Sequence, residues 1–249
     1  EKWNIRKNKM LPVIFALAWW SGEREAFYFL LAYPIVFVVL LVFSFNDSKS
    51  LAVFSGFSLR WYEELLRDRN TLESVKNTLI LAASATAIAT VIGTMAAVGI
   101  NKLRSKWYRA VMNTVTDIPM TNPDIITGIS LMLMFVFVGR LFGASTSLNF
   151  VTLLIAHVTF CTPYVILQVL PKLQQMDKAL REAAMDLGCT PMRAFFKVEL
   201  PEILPGIITG AIMAFTLSLD DFVISFFVTG PGTTTLPVKI YSSVRMGVS

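Results

Sequence analysis

The chain has 249 residues, of which 55% are hydrophobic and only 16% are charged. A soluble domain usually carries about 25% charged residues, so this composition excludes a large soluble core and predicts a protein with several membrane-spanning helices. The net charge of +5 arises from basic residues that gather in loops, which is typical of the cytoplasmic loops of membrane proteins and not of a nucleic-acid-binding surface.

Five stretches are long and apolar enough to cross a membrane as helices, which takes about 20 residues each. They are 26–45, 75–99, 108–139, 149–170 and 203–228, and the third is broken by prolines in its middle. Residues 1–25 precede them as a separate cytoplasmic or interfacial segment, in which Trp19 and Trp20 with flanking basic residues predict a helix at the membrane surface. Residues 26–249 then form one transmembrane domain.

The distribution of basic residues predicts the orientation of these spans. The 100–109 and 171–199 loops are rich in lysine and arginine, whereas the 140–148 and 229–237 loops hold a single arginine between them. Because basic loops stay in the cytoplasm, the first pair of loops and the basic N-terminus should lie inside. The end of the chain then lies outside, which predicts a sixth span beyond Ser249.

The cytoplasmic loop at 171–201 contains the most specific pattern in the sequence. Asp177 can cap a short helix, and Gly188 suits the position that ends it. Thr190 can cap a second short helix, which Pro201 should limit. Taken alone, these signals predict an exposed helical knob and leave its function open.

The spacing within this knob reads Glu182-Ala183-Ala184, three residues, Gly188, nine residues, Val198, one residue and Leu200-Pro201. It resembles the EAA loop of ABC importer permeases, with Val198 for isoleucine as the single departure. In that family the loop docks on a nucleotide-binding ATPase, and the resemblance implies this role for Glu182, Ala183, Ala184, Gly188, Leu200 and Pro201. The chain has no Walker A sequence, so we expect no cofactor and no enzymatic activity in this chain, with ATP and Mg²⁺ on a partner ATPase.

Further runs resemble spermidine/putrescine permeases of the PotC type. They are Asn122 to Ile125, His157 to Tyr164, Thr216 to Pro231 and Leu236 to Ser242. The resemblance covers about residues 26–249 and implies an all-α type I ABC importer transmembrane domain, a bacterial inner-membrane location and a polyamine cargo. It also implies three partners: a second homologous permease, a dimer of ATPase subunits and an extracytoplasmic polyamine-binding protein.

Three acidic residues within the predicted spans indicate a path for a cation, since ionisable groups inside a membrane are costly and mark pathways or sites. Asp124 follows the helix-breaking residues Pro119 and Pro123, while Asp220 and Asp221 lie in the fifth span. Adjacent residues of a helix point about 100° apart. One of the last two carboxylates should therefore face the pathway, and the other should pair with a basic group or cap broken backbone.

In a continuous helix, Asp221 shares one face with Ser218 and Ser225, and Asp220 shares another with Ile224. Acidic groups without a compensating lysine or arginine predict a negative pathway, which suits a polyamine and repels an anion. Nearby aromatic rings would add cation–π contacts. The predicted substrate pathway comprises Asp124, Asp220, Asp221, Tyr164 and Phe222. The alternative for each carboxylate is a structural role, satisfied inside a subunit interface.

The remaining reactive side chains, His157, Cys161 and Cys189, predict a packed neutral histidine, no disulfide and no metal site. Two other functions stay open. One is an ABC permease for another cationic or neutral solute, and the other is an ion-coupled secondary transporter, which would carry the same intramembrane acids and broken helix. The spacing from Glu182 to Pro201 separates the second from the leading hypothesis, because a secondary transporter has no ATPase to dock.

Overall fold

A computed structural model of the chain describes residues 24–48, 53–103, 105–143 and 148–246. The predicted surface helix around Trp19 lies outside these residues. Over the described ranges the chain is helical, with an isolated antiparallel bridge as its one β feature. It divides into two compact units, Glu1–Asp68 and Arg69–Ser249, which are described separately below.

Helices α1 (Arg24–Phe43) and α2 (Arg60–Arg67) form the described part of the first unit. Buried Asn46 organises the connection between them. Its Nδ2 donates to the Val53 carbonyl at 2.7 Å, and its Oδ1 accepts the Ser55 N–H at 2.8 Å. Helix α1 overlaps the first predicted span, 26–45. The part of it whose side chains are described, Pro34–Phe43, is apolar.

The second unit consists of further helices joined by short connections. They are α3 (Arg69–Lys102), α4 (Lys106–Thr121), α5 (Asp124–Leu141), α6 (Phe150–Gln175), α7 (Lys178–Asp186), α8 (Pro191–Ala194), α9 (Leu200–Asp220), α10 (Val223–Val228) and α11 (Leu236–Met246), with a π-turn (Phe195–Glu199) joining α8 to α9. Among the described residues, α3, α5, α6 and the continuous stretch Pro191–Asp220 are long and apolar enough to cross a membrane. The prediction of an all-α polytopic membrane protein is confirmed.

Two of the predicted spans are each made of two helices. The third, 108–139, contains α4 and α5, and within it α5 is the helix that is long and apolar enough to cross. The prediction of one continuous helix over 203–228 is wrong, because α9 ends at Asp220 and α10 begins at Val223. In the short gap the side chain of Asp221 replaces the helix carbonyls as hydrogen-bond acceptor.

Helices α3, α6 and α9 pack against one another, and α6 makes close contact with both of the others. A Cβ added at Gly93 of α3 would lie 2.7 Å from the Cβ of Val165 in α6. A Cβ added at Gly210 of α9 would lie 3.3 Å from the Cα of the same valine. At Gly206 the same addition would lie 2.9 Å from the carbonyl oxygen of Gln168. Small residues allow membrane helices to approach this closely, so these glycines fix how the three long helices pack.

Candidate functional site

The knob, residues 177–201, is built around a glycine turn that ends helix α7. Gly188 has a φ of +84°, a conformation that strongly favours glycine. Its N–H donates to the carbonyl of Met185 at 2.9 Å, and the N–H of Cys189 donates to the carbonyl of Ala184 at 3.0 Å. These two bonds form a Schellman turn, so the prediction that this glycine ends the helix is confirmed.

Both short helices of the knob begin at the predicted caps. Asp177 Oδ1 accepts the N–H of Ala179 at 2.9 Å, and Thr190 Oγ1 accepts the N–H of Arg193 at 3.4 Å. The predicted limit at Pro201 is wrong, because the chain stays helical through this residue into α9. A proline lacks the N–H that bonds four residues back, and the wider π-turn just before it accommodates that missing bond.

The predicted docking residues divide between the surface of the knob and its interior. Glu182, Ala183, Gly188 and Pro201 are exposed, Leu200 is half-buried and Ala184 is buried. The sequence analysis did not single out Leu187, whose side chain is 87% exposed beside the glycine turn. An apolar residue beside the glycine turn, in a loop predicted to be cytoplasmic, was the available signal.

A buried ion pair ties helix α7 to the π-turn. Arg181 Nε lies 3.1 Å from Glu199 Oε1, and the Glu199 side chain is only 3% exposed. Removing Arg181 leaves the buried Glu199 carboxylate without its partner, which costs about 3–5 kcal/mol, whereas removing Glu199 leaves a guanidinium that is 34% exposed. The pair therefore fixes the first knob helix to the base of α9. The sequence pattern did not reveal it, because the two residues lie on separate elements.

The first helix break lies between α4 and α5, at Asn122 and Pro123. The Pro123 carbonyl accepts the N–H groups of Ile126 at 3.0 Å and Thr127 at 3.3 Å, so a new helix starts directly behind the proline. Asp124 is the first residue of that helix and is exposed. A carboxylate is favourable at a helix N-terminus. The predicted break is confirmed.

The second break lies between α9 and α10 and is made by a side chain. Asp221 Oδ1 accepts the N–H of Ile224 at 3.2 Å, and its Oδ2 accepts the N–H of Ser225 at 2.7 Å. The Asp221 side chain is only 6% exposed. Of the two adjacent carboxylates, Asp221 is therefore the one that caps broken backbone. Asp220 is exposed whereas Ile224 is fully buried, so the predicted face shared by these two residues does not exist.

His157 of α6 holds the two sides of this second break together. The imidazole is buried; its Nδ1 lies 2.8 Å from Ser218 Oγ before the break, and its Nε2 lies 3.1 Å from Ser225 Oγ after it. Nε2 also lies 3.6 Å from Oδ2 of Asp221. Ser218, Asp221 and Ser225 therefore meet as predicted, but the histidine gathers them across a gap in the helix.

Aromatic rings surround the second break. The ring centroid of Phe222 lies 4.8 Å from that of Tyr241 and 5.5 Å from that of Phe226. Tyr241 belongs to α11, and the sequence analysis did not assign it to the pathway. The sequence around Tyr241 does not indicate a contact with Phe222, because that contact depends on how α11 folds back against the second break.

The two breaks lie on adjoining helices. A Cβ added at Gly128 of α5 would lie 3.0 Å from Cδ2 of Phe227 in α10. His157 of α6 contacts the second break, and Tyr164 follows seven residues later on the same helix, a rise of about 10 Å.

Comparison with known families identifies the class of protein. The family described as binding-protein-dependent transport system inner membrane components matches residues 89–247, more than half of the chain. The chain belongs to this family. It is 46% identical over 215 residues to the putrescine transport system permease protein PotI of Escherichia coli (strain K12), covering 85% of this chain and 75% of that protein.

A second relative extends the likeness. The chain is 36% identical over 229 residues to the spermidine/putrescine transport system permease protein PotC of the same strain, covering 92% of this chain and 83% of that protein. These relatives are permease subunits, so the prediction of a transport subunit rather than an enzyme is confirmed. The resemblance to ABC importer permeases is confirmed as well.

Solved structures share the fold. A bacterial ABC transporter involved in the import of the acidic polysaccharide alginate superposes with a TM-score of 0.71 at 15% identity, covering 98% of this chain and 88% of that chain. A bacterial alginate ABC transporter in complex with an alginate pentasaccharide-bound periplasmic protein superposes with a TM-score of 0.69 at 16% identity. The match covers 99% of this chain and 87% of that chain. At this identity the likeness concerns the fold alone, which is that of an ABC importer transmembrane domain.

Proposed function

We propose that the chain carries polyamines across the bacterial cytoplasmic membrane as the permease subunit of an ATP-driven importer that works by alternating access. The observation that carries this proposal is the identity of 46% and 36%, over most of the chain, to permeases named for putrescine and for spermidine/putrescine. A cationic cargo also fits the acidic residues at the two helix breaks.

In this proposal Asp124 and Asp220 bind the ammonium groups of the cargo. Both are exposed in the chain and belong to different helix breaks. A polyamine has ammonium groups separated by methylenes, which the rings of Tyr164 and Phe222 can contact through cation–π and apolar surface. Asp221 does not bind the cargo directly in this proposal, because its carboxylate accepts backbone N–H groups. It shapes the pathway by holding the second break.

The exposed face of the knob is the proposed docking site for the ATPase dimer. Glu182, Ala183 and Gly188 would contact the ATPase, which binds ATP and Mg²⁺, while Ala184 and Leu200 support the knob from inside. A second homologous permease completes the pathway, and an extracytoplasmic polyamine-binding protein delivers the cargo. This arrangement places the N-terminus and the 100–109 and 171–199 loops in the cytoplasm, next to the ATPase.

The cargo can be tested with the complete transporter, reconstituted with its partner permease, ATPase and binding protein. ATP-dependent uptake of labelled putrescine and spermidine is compared with uptake of histidine and of an anionic oligosaccharide. We expect uptake of at least one polyamine and background levels for the other solutes. ATP-dependent uptake of a neutral or anionic solute, with none of either polyamine, would contradict the proposal.

The docking site can be tested by Glu182→Lys, which reverses an exposed charge on α7. Receptor-stimulated ATP hydrolysis and polyamine uptake should fall to background while the amount of protein inserted in the membrane is unchanged. Glu73→Lys, the same charge reversal at an exposed site on α3, serves as the matched control and should transport normally. Normal uptake by the Glu182 variant would exclude this residue from docking.

A further inference from the structure

An apolar groove of about 690 Å³ runs along the second unit between helix α3 and the base of the knob. One wall consists of Val91, Met95 and Gly99, and the other of Met192, Phe195 and Leu200. The side chains of Met95 and Met192 are 69% and 67% exposed, so the described part of the chain leaves both walls uncovered. None of the predicted substrate-pathway residues lines this groove.

The groove is charged at one end and apolar along the rest of its length. Lys102 and Arg181 lie at the end nearest the knob, and Thr90 lies at the other. The stretch of α3 from residue 90 to residue 102 spans about 18 Å at 1.5 Å per residue. The hydrocarbon core of a bilayer is about 30 Å thick, so the groove is about as deep as one leaflet.

The charged end can accept an anion. Arg181 uses its Nε toward Glu199, but its side chain is 34% exposed, and a guanidinium has further N–H donors. Lys102 Nζ lies 5.7 Å from the ring centroid of Phe195 and forms no ion pair among the described parts of the chain. Lys102 and Arg181 also line an adjoining cavity together with Glu182 and Glu199, but neither carboxylate lines the groove itself. The lining of the groove therefore contains two cations and no carboxylate.

We propose that the groove binds an anionic phospholipid of the cytoplasmic leaflet, with an acyl chain along α3 and the phosphate between Lys102 and Arg181. The occupant must combine an apolar chain one leaflet long with a negative head, and basic sites between membrane helices on the cytoplasmic side favour such headgroups. Residues 1–25 of this chain are a poorer occupant, because their lysines and arginines are repelled by the same two cations.

This proposal rests on the cytoplasmic placement of the knob in the proposed function. Arg181 directly precedes Glu182 in α7, so a phosphate bound there joins the end of α3 to the docking helix. The lipid then belongs to the coupling apparatus and not to the substrate path.

Gly99 offers a direct test of the groove. It is exposed, and a Cβ added there meets nothing within 4 Å, so Gly99→Leu fills the groove without a clash and improves helix propensity. Ala87→Leu adds the same bulk at an exposed site on α3 outside the groove. The complete transporter is titrated with phosphatidylglycerol or with phosphatidylcholine in detergent, and the bound lipid is counted by native mass spectrometry.

We expect the wild type and the Ala87 variant to retain phosphatidylglycerol, and Gly99→Leu to lose it. Lys102→Gln should weaken its binding about fivefold, while Lys106→Gln, an exposed neighbour outside the groove, should have no effect. Equal retention by the Gly99 and Lys102 variants and their controls, or equal binding of phosphatidylcholine, would overturn the proposal. Polyamine uptake by the control variants, measured in parallel in vesicles, reports on the proposed function separately.

Discussion

The two helix breaks of the second unit are built by opposite means. At the first, Pro123 removes a backbone donor, and the neighbouring Asp124 stays exposed. At the second, there is no proline, and Asp221 itself ends one helix and begins the next by accepting the N–H groups of Ile224 and Ser225. A break made by a proline leaves its acidic neighbour available, whereas a break made by a carboxylate uses that carboxylate. Acidic residues in membrane helices therefore need to be sorted by their partners before they are assigned to a pathway.

The largest effect that separates the two breaks is expected for Asp221→Ala. Loss of the cap leaves the N–H groups of Ile224 and Ser225 without their acceptor, which should cost about 2 kcal/mol. For a chain of this size, that corresponds to a Tm about 4–8 °C lower, measured by thermal denaturation of the complex in detergent. Asp220→Ala is the matched control, and an equal loss of stability in both variants would remove the distinction.

The next effect concerns transport rather than stability. Asp124→Asn and Asp220→Asn should each raise the KM for polyamine uptake about tenfold, because each loses a charged contact with an ammonium group. The Tm should stay within about 2 °C of the wild type, since both carboxylates are exposed. Unchanged uptake kinetics in both variants would exclude these carboxylates from cation binding.

A smaller effect tests whether His157 joins the two sides of the second break. Ser218→Ala and Ser225→Ala each remove one hydrogen bond to the imidazole and should each cost about 1 kcal/mol. Because the two serines share one partner, the double variant should differ from the sum of the single variants by at least about 0.5 kcal/mol. Strict additivity in thermal denaturation would show that the two contacts act independently.

The smallest effect is expected at Tyr164. Tyr164→Phe removes the hydroxyl of a proposed pathway residue and should raise the polyamine KM about threefold with no change in Tm. Tyr108→Phe, at an exposed position of α4, should leave both quantities unchanged. If both variants transport like the wild type, the Tyr164 hydroxyl makes no contribution to the pathway.

Features that depend on neighbouring residues could be predicted from the sequence. The caps at Asp177 and Thr190, the glycine turn at Gly188 and the proline break before Asp124 each follow from a local rule about backbone donors or φ. The regions of the chain that hold the long apolar helices follow from composition in the same way, although their number and their breaks do not. These signals located both the knob and the first break.

Features that depend on distant residues could not be predicted in this way. The break at Asp221 is stabilised by His157, which lies more than 60 residues earlier in the chain, and helical spacing alone suggested a continuous span. The ion pair between Arg181 and Glu199, and the contact of Tyr241 with Phe222, likewise depend on how helices fold back on each other. Pro201 was misassigned because the π-turn before it compensates for the missing donor.

The uninterrupted path from the knob into the membrane has a mechanical consequence. From Pro191 to Asp220 the backbone remains helical through the π-turn. The second helix of the knob and the apolar helix α9 therefore form one continuous rod. A force applied at Thr190 would travel the full length of that rod before it reached Asp221, the first residue where the helix yields. In the proposed importer, the joint held by His157 is then the first place where a force on the knob would change the angle between two helices.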